Sequence, residues 1–108
     1  MVEYVGSILY DEKLLKKDNK FVIFGAGLSG RSILSYLDLN GVKENVICFC
    51  DSSFELCGLA IEGVIILHIK SVLVDYADAD YLVSGKFSKE MYQILKEANI
   101  KKIHLFIP

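Results

Sequence analysis

A chain of 108 residues is the length of a single domain, and it is long enough to bury a hydrophobic core. Its net charge of −2, with lysines and acids interspersed, gives no phosphate-backbone footprint, so nucleic acid is not expected among its partners. The longest apolar run, residues 64–67, is far too short to span a bilayer, and the N-terminus lacks the basic region and apolar core of a secretory signal. A cytoplasmic protein with no membrane span is expected.

Hydrophobic residues make up 53% of the chain, and the mean hydropathy of +0.39 is high for a small domain. Two arrangements account for it: a parallel sheet buried on both faces, or apolar surface covered by a second copy or a neighbouring catalytic domain. A homodimer is the expected assembly. The three cysteines, Cys48, Cys50 and Cys57, fit a reducing compartment rather than a disulfide framework. They form no metal signature, because there is no second cysteine pair and His68 and His104 stand apart.

In chain order, residues 1–19 read as a short helical extension, with Val5, Ile8, Leu9, Leu14 and Leu15 set among acids and lysines. The domain proper is expected over residues 20–108. It opens with an apolar strand at 20–24 that runs straight into Gly25, Gly27 and Gly30, spaced G-x-G-x-x-G. In that setting Gly25 allows the tight turn off the strand and Gly27 lets backbone approach a phosphate. Gly30 lets the following helix pack close to the sheet. A helix is predicted over 28–39, with Ile33, Leu34 and Leu37 facing inward, and Asn40-Gly41 as its stop.

A second strand at 46–50 carries Asp51 at its end. Residues 52–63 read as a loop, 64–69 as a third strand with His68 near its end, and 71–76 as a short helix. A fourth strand at 80–84 leads to Gly85. Ser88 is expected to cap a helix reaching about Ala98, with Met91, Ile94, Leu95 and Ala98 inward, and Phe87 and Tyr92 forming a hydrophobic staple. Asn99 is a candidate left-handed cap, and 103–107 the last strand. Right-handed crossovers then make an α/β, Rossmann-like open parallel sheet of five strands, ordered 3-2-1-4-5.

Ligands of such sheets lie beyond the carboxyl ends of the strands, where the order reverses. Three stretches converge there: the glycine turn, Asp51, and Ser84-Gly85-Lys86. The candidate binding residues are Gly25, Gly27, Leu28, Ser29, Gly30, Asp51, Ser84 and Gly85. Unpaired N–H groups at the helix N-terminus suit an anion, and an acid about 20 residues beyond the glycines suits ribose hydroxyls. The Asp51 charge opposes a 2′-phosphate, so NAD is favoured over NADP among dinucleotides. The same glycines can also serve helix–strand packing alone.

Other chemistries fit less well. Gly30 is followed by Arg31-Ser32, not the Gly-Lys-Ser/Thr ending of a P-loop, and an S-adenosylmethionine site would want an acid at Ile23 and glycine at Ser29. Tyr92 and Lys96 have the Tyr-x-x-x-Lys spacing of short-chain dehydrogenases, but in the wrong part of the fold and in too short a chain; they read as a surface pair. His68 can act as an acid–base group or simply sit at a strand end, and Lys86 and Arg31 can each reach a phosphate or face solvent.

The run Phe-Val-Ile-Phe-Gly-Ala-Gly-x-x-Gly, with Val-Ile-Cys-Phe-Cys-Asp51, Gly58-x-x-Ile61-x-Gly63-x-x-Ile66 and Asp80-Tyr-Leu-Val-Ser, resembles the small Rossmann-like domain of bacterial surface-glycan biosynthesis enzymes. That domain occurs beside sugar acetyltransferases, nucleotide-sugar dehydratases and glycan-associated methyltransferases. The resemblance covers residues 20–107 and implies a nucleotide, nucleotide-sugar or NAD held at Gly25, Gly27, Gly30 and Asp51. The catalytic half of those enzymes is absent from this chain. The expected function is therefore a nucleotide-binding module. An NAD-dependent oxidoreductase domain or subunit is the first alternative, and a ligand-free structural or oligomerisation domain the second.

Overall fold

A computed structural model describes residues 18–106; the expected N-terminal helix and the end of the expected last strand fall outside the described residues. The strands are β1 (Phe21–Phe24), β2 (Val46–Asp51), β3 (Ala60–Ile61), β4 (Val64–His68), β5 (Asp80–Val83) and β6 (Ile103–Leu105). The helices are α1 (Leu28–Leu39), α2 (Ile69–Asp75) and α3 (Ser88–Glu97), with a 3₁₀ turn at Lys43–Asn45. They build one six-stranded sheet, ordered β3-β4-β2-β1-β5-β6 and parallel except for β3.

The five expected strands are present in the expected order, and β3 is the addition. It pairs antiparallel with the start of β4 through a turn at Glu62 and Gly63, both at positive φ (49° and 84°), which is the backbone a two-residue hairpin requires. A two-residue strand leaves no readable periodicity, so the sequence shows only a loop there. As a result β4, expected at the sheet edge, is an inner strand.

Alternation along the strands divides the core into two layers. Phe21, Ile23, Phe49, Ile66 and Leu82 pack with Ile33, Leu34 and Leu37 of α1. Val22, Phe24, Cys48, Cys50, Tyr81 and Val83 pack on the other face with Ile69 and Val72 of α2 and Tyr92 and Leu95 of α3. Covering both faces explains why β1 and β5 are buried at every residue and why the composition is so apolar.

Several local expectations shift. Helix α2 begins at Ile69 because the His68 side chain is its N-cap, Nδ1 accepting from the Lys70 N–H at 3.2 Å. Helix α3 has Phe87 rather than Ser88 as N-cap; the Ser88 N–H donates to the Gly85 carbonyl at 3.1 Å. Phe87 is exposed, with Lys86 Nζ 5.1 Å from its ring centroid, while Tyr92 is buried; Ile94, expected inward, is exposed. Gly41 (φ 74°) and Asn99 (φ 63°) adopt the left-handed conformation expected after α1 and α3. Among the described residues no helix is long and apolar enough to cross a membrane.

Candidate functional site

The glycine turn leaves β1 at Gly25, whose φ of +95° favours glycine and whose N–H donates to the Cys50 carbonyl at 2.7 Å. A side chain there would also press on Met91 of α3, 3.1 Å from the position of an added Cβ. Gly30 is buried in the first turn of α1, and an added Cβ would collide with the Gly25 carbonyl oxygen. Gly27 differs from both. It is the N-cap of α1 in an ordinary extended conformation (φ −84°, ψ −163°), and an added Cβ would meet nothing within 4 Å. The fold does not need glycine at Gly27; the open space over it suits close approach of a ligand to the backbone.

Asp51, at the carboxyl end of β2, binds the turn itself. Its Oδ2 accepts from the Ala26 N–H at 3.1 Å, and its Oδ1 accepts from the Ser53 N–H at 2.9 Å. A carboxylate has about four lone-pair sites, so acceptor capacity remains for hydroxyl donors. On the opposite side, Ser84, Gly85 and Lys86 follow β5. Gly85 (φ +88°) lies so close to α1 that an added Cβ would be 2.5 Å from Ser29 Oγ.

These walls enclose a cleft of about 350 Å³. Gly25, Gly27, Leu28, Ser29 and Gly30 line it from the turn, Asp51 from β2, and Ser84 and Gly85 from β5. All eight sequence-predicted residues are brought together. Phe24, Lys86, Phe87 and Met91 complete the lining. Sequence reasoning assigned Phe87 to a staple and Met91 to the core, since helical periodicity does not reveal that the first turn of α3 faces the glycine turn. A second cleft of about 390 Å³ adjoins the first, sharing Leu28, Ser29, Ser84 and Gly85 and reaching Leu105 and Phe106.

Other candidates lie elsewhere. His68 pairs in register with Asp51 across β2 and β4, but its ring caps α2 and stacks on Phe54, with centroids 4.1 Å apart and planes 16° apart. Tyr92 is buried rather than on the surface, with Lys96 Nζ 5.7 Å from its ring centroid, and neither lines the cleft. Arg31 is exposed and does not line it either. Burial pushes the Cys48 thiol up to about 11 and raises Cys50 well above its ordinary value of 9.0, so both are poor nucleophiles. No group of three or more His, Cys, Asp or Glu able to hold a metal occurs among the described residues.

The sheet order and the glycine turn together define the class: a Rossmann-like domain of the nucleotide-binding kind. Two solved structures are similar to it. The crystal structure of RSP, a Rex-family repressor, matches with a TM-score of 0.69 and 26% identity, over 87% of this chain and 47% of that one. The crystal structure of RSP in complex with β-NADH matches with a TM-score of 0.62 and 25% identity, over 83% of this chain and 46% of that one. This chain thus spans about half the length of those proteins. No family model matches the chain, and no curated protein matches it significantly.

One expectation is corrected by these similarities. Net charge argued against any nucleic-acid partner, yet one similar solved structure is that of a Rex-family repressor, so the net charge of this chain does not exclude one. The physical reason is that the charge of one domain says nothing of contacts made by other parts of a longer protein. The Rossmann-like part of the glycan-enzyme resemblance is matched by these structures; its glycan context has no counterpart in them.

Proposed function

We propose that this domain binds NAD(H) at the glycine turn and serves as the ligand-binding part of a regulatory protein. The observation that carries the reading is Gly27: the fold tolerates a side chain there, yet glycine leaves the N-terminus of α1 open beside Asp51 and the cleft. The N–H groups of that helix end suit a diphosphate, and Asp51 suits ribose hydroxyls. When bound, NAD(H) would supply hydride chemistry, whereas the residues here serve to bind and orient it. Among the ligands the sequence leaves open, NAD(H) is favoured over a nucleotide-sugar by the similarity to a protein crystallised with β-NADH.

A regulatory rather than catalytic role is supported by the similarity to a repressor, and by His68 and Tyr92 being engaged elsewhere. Homodimerisation is part of the proposal and is tested by native mass spectrometry. The binding reading is tested by titrating the protein with NADH, NAD⁺ and a UDP-sugar in a calorimeter. Saturable binding of NADH or NAD⁺, lost in Gly27→Val while the melting temperature holds, is the expected result. Preference for the UDP-sugar, or no binding to any of the three, overturns it.

A further inference from the structure

Ser84 is 5% exposed and directly follows β5, a strand buried throughout; its hydroxyl makes no hydrogen bond among the described residues. The hydroxyl is not sealed from solvent, since His104 Nδ1 is the one fully buried side-chain N or O atom without a partner among the described residues; it is therefore open to a ligand in the cleft. Ser84 lines both clefts. The turn after it is pressed against the first turn of α1, where Gly85 leaves room for Ser29 alone. This packing directs the N-termini of two helices, α1 at Gly27 and α3 at Phe87, to one cleft, so their partial positive charges add there. Lys86, the only lysine or arginine in the cleft among the described residues, stands at the start of α3. The other charged residue in the lining, Asp51, lies on β2, across the glycine turn.

We infer that the bound diphosphate is clamped from two sides: by the α1 N-terminus at the glycine turn, and by the Ser84 hydroxyl and Lys86 at the start of α3. The inference rests on the nucleotide reading above and adds to it a second anchoring element, one that a single glycine turn does not provide. The Ser84 O–H donates to a phosphate oxygen, and Lys86 supplies the charge that offsets the second phosphate. Ligand binding would then tie the β5–α3 turn to the β1–α1 turn.

The test compares ADP, which has the diphosphate but no second nucleoside, with NADH, on the wild type, Ser84→Ala and Lys86→Gln. Ser84→Ala removes an unpartnered hydroxyl and should fold normally, which a thermal melt checks. The expected result is a loss of about ten-fold in affinity for both ligands in Ser84→Ala, from a hydrogen bond to a charged group. Lys86→Gln should weaken both and flatten the salt dependence of binding. Weakening of NADH but not ADP in Ser84→Ala would mean that Ser84 contacts the second nucleoside, and would overturn the clamp. Unchanged affinities would overturn it too. A wild type that binds neither ligand would instead remove the nucleotide reading itself, and the clamp with it.

Discussion

Asp51 and Ala26 are joined by a hydrogen bond of 3.1 Å from the Ala26 N–H to Asp51 Oδ2, so the carboxylate at the end of β2 holds the glycine turn in place. The same group therefore shapes the turn and faces the cleft. Asp51→Ala removes this bond and the one from the Ser53 N–H, and should cost about 2 kcal/mol of stability, at the lower end for bonds to a half-buried carboxylate. Asp51→Asn keeps one carbonyl acceptor and should cost less. Urea denaturation measures both; equal midpoints for all three proteins would show that the tether contributes nothing.

Gly30 and Gly27 should separate folding from binding. Gly30→Ala drives a Cβ into the Gly25 carbonyl and should destabilise by about 2–4 kcal/mol, since neither backbone can yield without moving the turn off β1. Gly27→Ala meets open space and should change stability by only a few tenths, about 0.5 kcal/mol, while weakening NADH at least about ten-fold. Thermal melts and calorimetry on the two variants decide the point. Equal loss of stability in both would refute the division of roles.

Tyr81 is fully buried, and its hydroxyl is shared between the carbonyls of Val72 (3.2 Å) and Tyr76 (3.0 Å) at the end of α2. Tyr81→Phe preserves the packing but takes away the donor. The expected cost is about 1–2 kcal/mol, with faster amide exchange in α2 than in α1. Exchange measured by mass spectrometry should show the change confined to α2 and the strand beside it.

Alkaline conditions should weaken the fold. Burial holds the Cys48 thiol up to about 11, against an ordinary 9.0. Cys50 is raised well above 9.0 by burial first and then by the neighbouring Cys48 and Asp51 charges, and Tyr81 is raised mainly by burial. In each case the folded state keeps a proton that the unfolded chain releases. Their contribution is whole below the unfolded values and is lost as pH rises through the raised ones, so stability should fall between pH 9.0 and about 11. Urea midpoints across that window test this, and a Cys48→Ala, Cys50→Ala double variant should remove most of the slope. A flat profile in the unmodified chain would contradict it.

Much of the site was legible because its pieces are local. An apolar strand, glycines at G-x-G-x-x-G and a helix with Ile33, Leu34 and Leu37 on one face are spaced by the geometry of the turn itself. The bounds of α1 at Leu28–Leu39 follow from that periodicity. Asp51 at the end of β2 was readable for the same reason, since chain direction and right-handed crossovers bring every strand's carboxyl end to one edge. Hairpin strand β3, the cap made by His68 and the true start of α3 were not readable, because each depends on one or two residues whose partners are distant or whose pattern is too short.

The amino-acid sequence by itself determined the order of the five parallel strands and the eight residues that meet at the cleft, because these follow from periodicity, glycine conformation and crossover handedness. Only the tertiary structure decided how the residues are used. It set Asp51 on the Ala26 N–H, left space over Gly27 but none over Gly30, and pressed Gly85 against Ser29, so that Ser84 lies buried between two helix ends. Those outcomes depend on distances of a few tenths of an ångström between segments far apart in the chain, which no local pattern encodes.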